Sequence, residues 1–148
     1  MNRQRQGGFL VAKIRQVGER IFVRKLKQYG IEINPAQGRI AFALWQKDGI
    51  SINELAKRTQ LKKSTLTSML DRLERMGYIK RRRCRKDRRK ILIMRTKKDI
   101  AMEKRYTEIS QEMTEVFYKG FSKSQIDRFE VDLERILNNL TEFESNAY

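Results

Sequence analysis

Apolar side chains recur every three or four residues along most of this chain, the repeat that places them on one face of an α-helix. Within residues 9–29 the spacing predicts a long amphipathic helix that ends near Gly30. Its apolar positions are Leu10, Ile14, Val17, Ile21, Phe22, Leu26 and Tyr29. One proline and eight glycines among 148 residues leave few positions that break a helix. We therefore predict a mainly α-helical fold.

Two shorter helices are predicted next. Pro35 suits the first turn of a helix that runs to about Lys47. Ser51 and Glu54 form a capping pattern, in which each side chain satisfies a backbone N–H group of the other residue. This pattern predicts the start of a third helix, over 52–59.

A fourth helix and a β-hairpin are predicted after a short turn. Apolar spacing predicts a helix over 63–76, and Gly77 supplies the left-handed residue that ends it. The segments 79–84 and 90–94 are short, and the second is rich in β-branched residues, so we predict two paired strands. Four large side chains of the first four helices are predicted to lie in the core: Tyr29, Trp45, Met69 and Met76.

Two helices are predicted in the last third of the chain. Thr96 can cap the first, Gly120 closes it, and Ser122 can cap the second. Apolar residues of the second helix form a narrow stripe suited to packing against another helix, either within one subunit or between subunits. The stripe consists of Ile126, Phe129, Leu133, Ile136, Leu140 and Phe143.

The net charge of +16 is concentrated in one part of the chain. Residues 62–98 hold 16 Lys and Arg against 3 Asp and Glu, and residues 1–30 hold 8 against 1. Residues 31–61 are nearly balanced, whereas residues 99–148 hold 6 against 11. A concentrated basic block creates a field suited to a polyanion, which points to nucleic acid.

Three short helices followed by a hairpin is the order of a winged helix-turn-helix fold. A helix that reads a DNA major groove needs short hydroxyl side chains and arginines. The predicted recognition-helix contacts are Lys62, Lys63, Ser64, Thr65, Thr67, Ser68, Arg72 and Arg75. A hairpin that reaches a neighbouring minor groove needs cations at its tip. The predicted wing contacts are Arg81, Arg82, Arg83, Arg85, Lys86, Asp87, Arg88, Arg89 and Lys90.

Six short motifs lie between Ile31 and Lys98. They are Asn34-Pro35-Ala36-Gln37, Glu54-Leu55-Ala56, Lys63-Ser64-Thr65-Leu66-Thr67, Leu70-Asp71-Arg72-Leu73-Glu74, Gly77-Tyr78-Ile79 and Asp87-Arg88-Arg89. Together they resemble the MarR family of winged helix-turn-helix transcription regulators. In that family the acid of the last motif positions the second arginine, here Arg89, which enters the minor groove.

The resemblance implies a sequence-specific regulator, usually a repressor, that binds double-stranded DNA at a pseudo-palindromic operator as a homodimer. It implies a DNA-binding domain at 31–98 between a dimerisation helix at 1–30 and dimerisation helices at 99–148. The implied dimer contacts are Leu10, Ile14 and Val17 together with the apolar stripe of the last helix. Small aromatic acids or oxidants act on many members of the family, so a small-molecule effector is a further expectation.

Four positions depart from the family pattern. Lys62 stands where a capping Asp is frequent, Gln60 and Asp99 where glycines are frequent, and Gly38 where a large apolar residue is usual. None of these changes removes a predicted DNA contact, so we expect them to affect local stability more than function.

Other classes of protein are disfavoured. The chain contains no histidine and one cysteine, which removes Cys/His zinc sites, histidine-based catalysis and an internal disulfide. No apolar run approaches the roughly 20 residues of a membrane span, and no signal peptide is recognisable at the start. We therefore expect a cytoplasmic protein that is not an enzyme and needs no cofactor or metal.

Cys84 leaves two interpretations open. Neighbouring arginines are expected to lower its thiol pKa, which would suit a redox switch. A lone cysteine in a strand is more often a small apolar filler.

One alternative function comes from a different class. Charge alone would also fit an architectural DNA-binding protein or a protein that binds structured RNA. The hydroxyl-rich face at 64–68 favours base readout, because a non-specific binder would need only Lys and Arg.

Overall fold

A computed structural model describes residues 4–147. The first three residues of the predicted 1–30 segment and the last residue of the 99–148 segment lie outside the described residues. The elements in chain order are α1 (Gly7–Gln28), α2 (Pro35–Gln46), β1 (Ile50–Ser51), α3 (Ile52–Thr59), α4 (Lys63–Arg75), β2 (Ile79–Arg83), β3 (Ile91–Arg95), α5 (Lys97–Phe117) and α6 (Lys123–Ala147). The predicted mainly α-helical fold with a β-hairpin is confirmed.

The chain divides into two compact units. The first extends to Ser110, and the second begins at Gln111, so the boundary falls within α5. The first unit contains α1 to α4, the three strands and most of α5. The second contains the end of α5 and all of α6.

The strands form one antiparallel sheet in the order β1-β3-β2. β2 and β3 pair over five positions, from Ile79 opposite Arg95 to Arg83 opposite Ile91. The predicted hairpin is therefore confirmed. Ile50 pairs with Ile93 to add β1, a two-residue strand that the sequence analysis missed because so short a segment carries no alternating pattern.

The core of the first unit lies where α2, α3 and α4 pack against the sheet and α5. The fully buried side chains come from every one of these elements and, with Ile33, from the segment before α2. They are Ile33, Ile40, Leu44, Ile50, Leu55, Leu66, Leu70, Leu73, Ile93, Met102 and Ile109.

Hydrogen bonds at the helix starts confirm most of the predicted caps. The Thr96 hydroxyl accepts from Asp99 N, and the Ser122 hydroxyl accepts from Gln125 N, both at 3.2 Å. Pro35 is the first residue of α2, as predicted. A reciprocal pair between Asn34 and Gln37 precedes it, which the sequence analysis did not identify.

The Ser51 cap is only half of what the sequence predicted. The Ser51 hydroxyl accepts from Glu54 N at 3.2 Å. The Glu54 carboxylate does not return the bond; it accepts instead from Arg58 and Lys47, at 3.1 and 3.3 Å. The reciprocal part of the prediction is wrong because two cations compete for that carboxylate, and they lower its pKa.

Left-handed residues end several helices. Gly77 and Gly120 have φ of 87° and 88°, as predicted. Gln60 ends α3 with φ of 58°, the one residue other than glycine with positive φ among residues 4–147. A side chain in this conformation costs about 1–2 kcal/mol relative to glycine, in line with the expected effect of Gln60 on local stability. Lys62 precedes α4 without a side-chain cap, also as expected.

One predicted core residue is wrong. Tyr29 follows the last residue of α1 and is exposed, because the chain leaves the helix at Gly30, which has φ of 69°. Trp45, Met69 and Met76 are partly buried and pack against the core, as predicted.

Candidate nucleic-acid interface

The two faces of α4 differ completely in exposure. Leu66, Leu70 and Leu73 are buried and hold the helix against the core. Every predicted contact of this helix lies outside that buried side and is exposed: Lys62, Lys63, Ser64, Thr65, Thr67, Ser68, Arg72 and Arg75. The buried leucines therefore leave a hydroxyl-rich and basic face open along α4.

The loop between the two strands of the hairpin, residues 84–90, is rich in cations. A hydrogen bond from Cys84 N to Lys90 O, 2.9 Å long, closes this loop. Five exposed cations occupy it: Arg85, Lys86, Arg88, Arg89 and Lys90. Among residues 4–147 no carboxylate forms a salt bridge with any of these five.

Asp87 shapes the turn of this loop. Its carboxylate accepts from Arg89 N at 3.1 Å, and its carbonyl oxygen accepts from Lys90 N at 3.0 Å. The acid therefore holds the backbone of Arg89 and leaves the guanidinium exposed.

The three arginines of β2 differ in how far their side chains are exposed. Arg82 and Arg83 are exposed. Arg81 is largely covered, with 21% of its side chain exposed, and its guanidinium binds Asp71 and Glu74 of α4. That Arg81 contacts DNA stays a prediction. Unlike Arg82 and Arg83, it already binds two carboxylates of the protein.

The thiol pKa of Cys84 is lowered, although for a different reason than the one expected. The largest contributions come from the backbone N–H groups of Asp87 and Lys86, which point at the sulfur within the loop. The Lys90 charge contributes less, and the Asp87 charge opposes the shift. The expected effect of neighbouring arginines is not the cause. Cys84 lies just beyond β2, partly exposed.

Contacts with the start of α5 fix the end of α4. The Thr96 hydroxyl donates to Gly77 O and the Lys98 ammonium to Met76 O, both at 2.7 Å. These bonds satisfy carbonyl groups that a helix end leaves without partners. Lys98 also lies over the Tyr78 ring, 4.6 Å from its centroid.

A buried ionic cluster joins β3, α2 and α5, and the sequence analysis missed it. Asp99 accepts from Arg95 Nε at 2.5 Å and from Trp45 Nε1 at 3.1 Å, and Arg95 also binds Glu103 at 2.6 Å. Burial raises the pKa of Asp99 despite the opposing effect of Arg95. The available signal was the spacing of four residues between Arg95 and Asp99 across a helix start.

Apolar side chains of α1 and α6 are exposed in their respective units. On α1 these include the predicted dimer contacts Leu10, Ile14 and Val17. On α6, Ile136, Leu140 and Phe143 are exposed, and Ile126, Phe129 and Leu133 are partly exposed. Exposed apolar faces of this length are typical of surfaces that another protein covers.

A cavity of about 390 Å³ lies between α2, α3 and α5 in the first unit. Phe42 and Tyr106 provide aromatic surface, and Arg39 and Arg58 contribute charge. Both arginines are paired with acids, at 3.5 Å to Glu19 and 3.1 Å to Glu54.

Among residues 4–147 no helix has the length and apolar character needed to cross a membrane.

Comparison with known proteins identifies the domain that carries these features. The model of the MarR family matches residues 33–91, which begin just before α2 and include α4, β2 and the loop. Residues 33–91 of the chain form a MarR domain. The resemblance seen in the sequence motifs is thereby confirmed, as is the winged helix-turn-helix fold.

Two relatives and one solved structure show what the chain is similar to. It is 37% identical over 67 residues to the HTH-type transcriptional regulator TtmR of Methylorubrum extorquens, covering 45% of this chain and 34% of TtmR. It is 29% identical over 100 residues to the HTH-type transcriptional regulator SarZ of Staphylococcus haemolyticus, covering 68% and 67% of the two chains. The S. aureus MepR–DNA complex superposes with a TM-score of 0.79 at 26% identity, over 90% of this chain and 95% of MepR.

The extent of these matches differs between relatives. The match to TtmR spans about a third of that protein, whereas the match to MepR spans nearly the whole chain. The named MarR relatives are transcription regulators and not enzymes, in agreement with the prediction from the sequence.

Proposed function

We propose that this protein is a transcription regulator that binds a specific double-stranded DNA sequence as a homodimer. One observation carries the proposal: the open hydroxyl face of α4 lies in the same compact unit as a loop whose five cations form no salt bridge with any carboxylate of residues 4–147. TtmR and SarZ are HTH-type transcriptional regulators and MepR forms a complex with DNA, which supports duplex DNA over other polyanions.

The α4 face is suited to a major groove. Hydroxyl side chains are short, so the helix can approach closely and bond to phosphates and base edges. Ser64, Thr65 and Thr67 lie near its N-terminal end, the end that points at bases in helix-turn-helix proteins. Arg72 and Arg75 extend the face toward the flanking phosphates.

The loop is suited to a neighbouring minor groove. Phosphates line both edges of that groove, so an arginine inserted between them gains electrostatic energy without reading a base. Arg89 is the residue we assign to this position, because Asp87 fixes its backbone and leaves its side chain exposed. The remaining loop cations contact the phosphate backbone.

A homodimer accounts for the exposed apolar faces of α1 and α6. A second copy of the chain covers these faces, and two α4 helices then reach two half-sites about one helical turn apart. The segments 1–30 and 99–148 provide this pairing, and 31–98 provides the DNA contacts. We place its action in the cytoplasm and expect its binding across a promoter to repress transcription.

The cavity between α2, α3 and α5 is the place we assign to a small-molecule effector. Its surface is aromatic, and the charges of its two arginines are already balanced by Glu19 and Glu54, a lining that suits a small aromatic ligand. Tyr106 of α5 and Phe42 of α2 both border it, so a ligand there would contact helices from two parts of the unit.

Selection of binding sites from random duplex, followed by fluorescence anisotropy with competitors, tests the proposal. We expect a selected palindrome to bind at least 10³-fold more tightly than random duplex at the same salt concentration, the usual lower limit for specific binding. Equal displacement by random duplex or structured RNA would instead establish the non-specific alternative. In vitro transcription from a promoter that contains the palindrome should fall when protein is added; a rise would contradict repression.

A further inference from the structure

Arg81 is set apart from the other arginines of β2 by its burial. Side chains alternate between the two faces of a strand, so Arg81 lies on the same face as Ile79, which is buried against the core. Lys80 and Arg82 lie on the other face and are exposed. Arg83 shares the face of Arg81 but is exposed at the end of β2, so Arg81 is the one member of the run at 80–83 that is partly buried.

Three short contacts tie Arg81 to α4. Its Nη2 atom lies 2.7 Å from Asp71 Oδ1, and its Nη1 atom lies 2.9 Å from Glu74 Oε1. The backbone N–H of Arg81 donates to Glu74 Oε2 at 3.0 Å. Glu74 therefore holds both the main chain and the side chain of one strand residue, an arrangement that fixes direction as well as distance.

Because of their position, these contacts can control the orientation of the loop 84–90 relative to α4. Asp71 and Glu74 are on α4, the proposed recognition helix, whereas β2 leads directly into the loop 84–90. A small rotation of β2 against α4 would be amplified at the loop. Three charge-assisted bonds near the base of the hairpin oppose that rotation.

The charges of this cluster also matter for a polyanion. Arg81 faces two carboxylates, so its own charge is already neutralised and a phosphate gains little from approaching it. Without Arg81, those two acids would lie uncompensated beside the basic face of α4. Arg81 is thus suited to holding the surface in shape, and poorly suited to binding DNA directly.

We propose that Arg81 is a positioning residue, which sets the angle between the recognition helix and the wing through Asp71 and Glu74 and makes no phosphate contact. This inference rests on the proposed function. Arg81 would raise the affinity for DNA by holding the wing at the correct angle. The exposed Arg82 would raise it through the attraction between its charge and a phosphate.

The substitution Glu74→Gln distinguishes a positioning role from a purely electrostatic one, because the two predict opposite changes in the affinity for DNA. Removal of a negative charge beside DNA strengthens binding if only electrostatics matters. Loss of the bonds to Arg81 weakens specific binding if the angle matters. We expect binding to the selected palindrome to weaken about tenfold, comparable to the loss of one base contact, while binding to random duplex, which depends on charge alone, becomes slightly tighter. Glu108→Gln, an exposed acid on α5, is the matched control and should change neither.

The arginine itself is tested by the salt dependence of binding. Arg81→Gln should weaken binding to the palindrome while the slope of log K against log salt stays as in the unsubstituted protein. Arg82→Gln should lower that slope by about one unit, as expected when one phosphate contact is lost. Arg81→Lys keeps the charge but not the paired geometry, and should behave like Arg81→Gln.

The outcomes are distinguishable. Tighter or unchanged binding of Glu74→Gln to the palindrome, or a slope reduced by Arg81→Gln, would overturn the inference. Failure of the unsubstituted protein to prefer any palindrome would instead overturn the proposed function. If Glu74→Gln does not fold by circular dichroism, Asp71→Asn gives the same test from the second carboxylate.

Discussion

The hydroxyl of Tyr106 occupies the space beside Gly38 in which any other residue would carry its Cβ atom. The ring is held from two further sides by Phe22 and Trp45, each 5.3 Å away between ring centroids in edge-on contact. The glycine of α2 and the tyrosine of α5 therefore form one packed unit. This pairing explains how the MarR family fold accommodates glycine where a large apolar residue is usual, because the tyrosine supplies the missing volume.

Gly38→Ala should destabilise the protein. A methyl group at residue 38 would overlap the Tyr106 hydroxyl, and the surrounding rings leave it little room to move. Overpacking of this kind costs about 1–3 kcal/mol in the free energy of unfolding, measurable by urea denaturation. Gly8→Ala is the control, because nothing lies within 4 Å of a Cβ atom there. Equal stability of the two variants would show that Tyr106 moves aside freely.

Tyr106→Phe should reduce the loss of stability at alkaline pH. Burial raises the pKa of Tyr106 from 10.0 to about 12. The folded state therefore favours the neutral phenol, and this contribution is complete below pH 10 and is lost as the pH rises toward 12. Between about pH 9 and pH 11 the unsubstituted protein should lose about 1 kcal/mol relative to the Phe variant. Parallel stability curves in urea would contradict a buried hydroxyl.

Asp99→Ala should be among the more damaging single substitutions. It removes the acceptor of both the Arg95 guanidinium and the Trp45 indole N–H, and Arg95 is itself largely buried. Breaking a buried pair from one side costs about 3–5 kcal/mol. Thermal and urea unfolding measure the change. Glu19→Ala, which breaks exposed pairs with Arg15 and Arg39, should have little effect. Recovery of stability in Asp99→Ala/Arg95→Met would confirm that the isolated cation causes the loss.

Arg89→Ala should weaken binding to the palindrome and lower its salt dependence by about one unit in slope. The physical reason is the loss of one cation that lies among phosphates. Anisotropy titrations at several salt concentrations provide the measurement. Lys104→Ala changes an exposed cation of α5 and should leave both quantities unaltered. An unchanged slope for Arg89→Ala would remove Arg89 from the interface.

Leu133→Asp/Leu140→Asp should produce monomers that bind the palindrome much more weakly. Both side chains belong to the apolar stripe of α6, where buried carboxylates would be strongly unfavourable in a dimer. Light scattering gives the mass. Val131→Asp is the matched control, because Val131 is an exposed apolar residue of the same helix that is not part of the stripe. A double variant that still has the mass of a dimer would place the subunit contact elsewhere.

The sequence was sufficient where the information is local. Helix α4 was predicted because Leu66, Leu70 and Leu73 follow helical spacing, and the same spacing separates them from the hydroxyl face. Gly77 and Gly120 were predicted to end helices because left-handed backbone favours glycine. These features depend on residues a few positions apart, so they can be read without knowing the fold.

The sequence was insufficient where one residue of a uniform run behaves differently. Arg81 is one of four consecutive cations, and nothing in the run distinguishes it. Its separation from Arg82 depends on the register of β2 against β3 and on the side of the strand that faces α4. Tyr29 was misplaced for a related reason, since apolar spacing continues one residue past the end of α1.

By itself, the sequence determined the helical class, the hairpin, the basic block and the open face of α4, because each follows from the repeat of side chains along a single element. Tertiary structure alone decided which charges are already paired and which volumes are already filled. Arg81 bound to Asp71 and Glu74, Asp99 bound to Arg95, and Tyr106 packed on Gly38 are all relations between elements. Electrostatic and packing energies depend on distances in space, and those distances are set only when the elements have packed together.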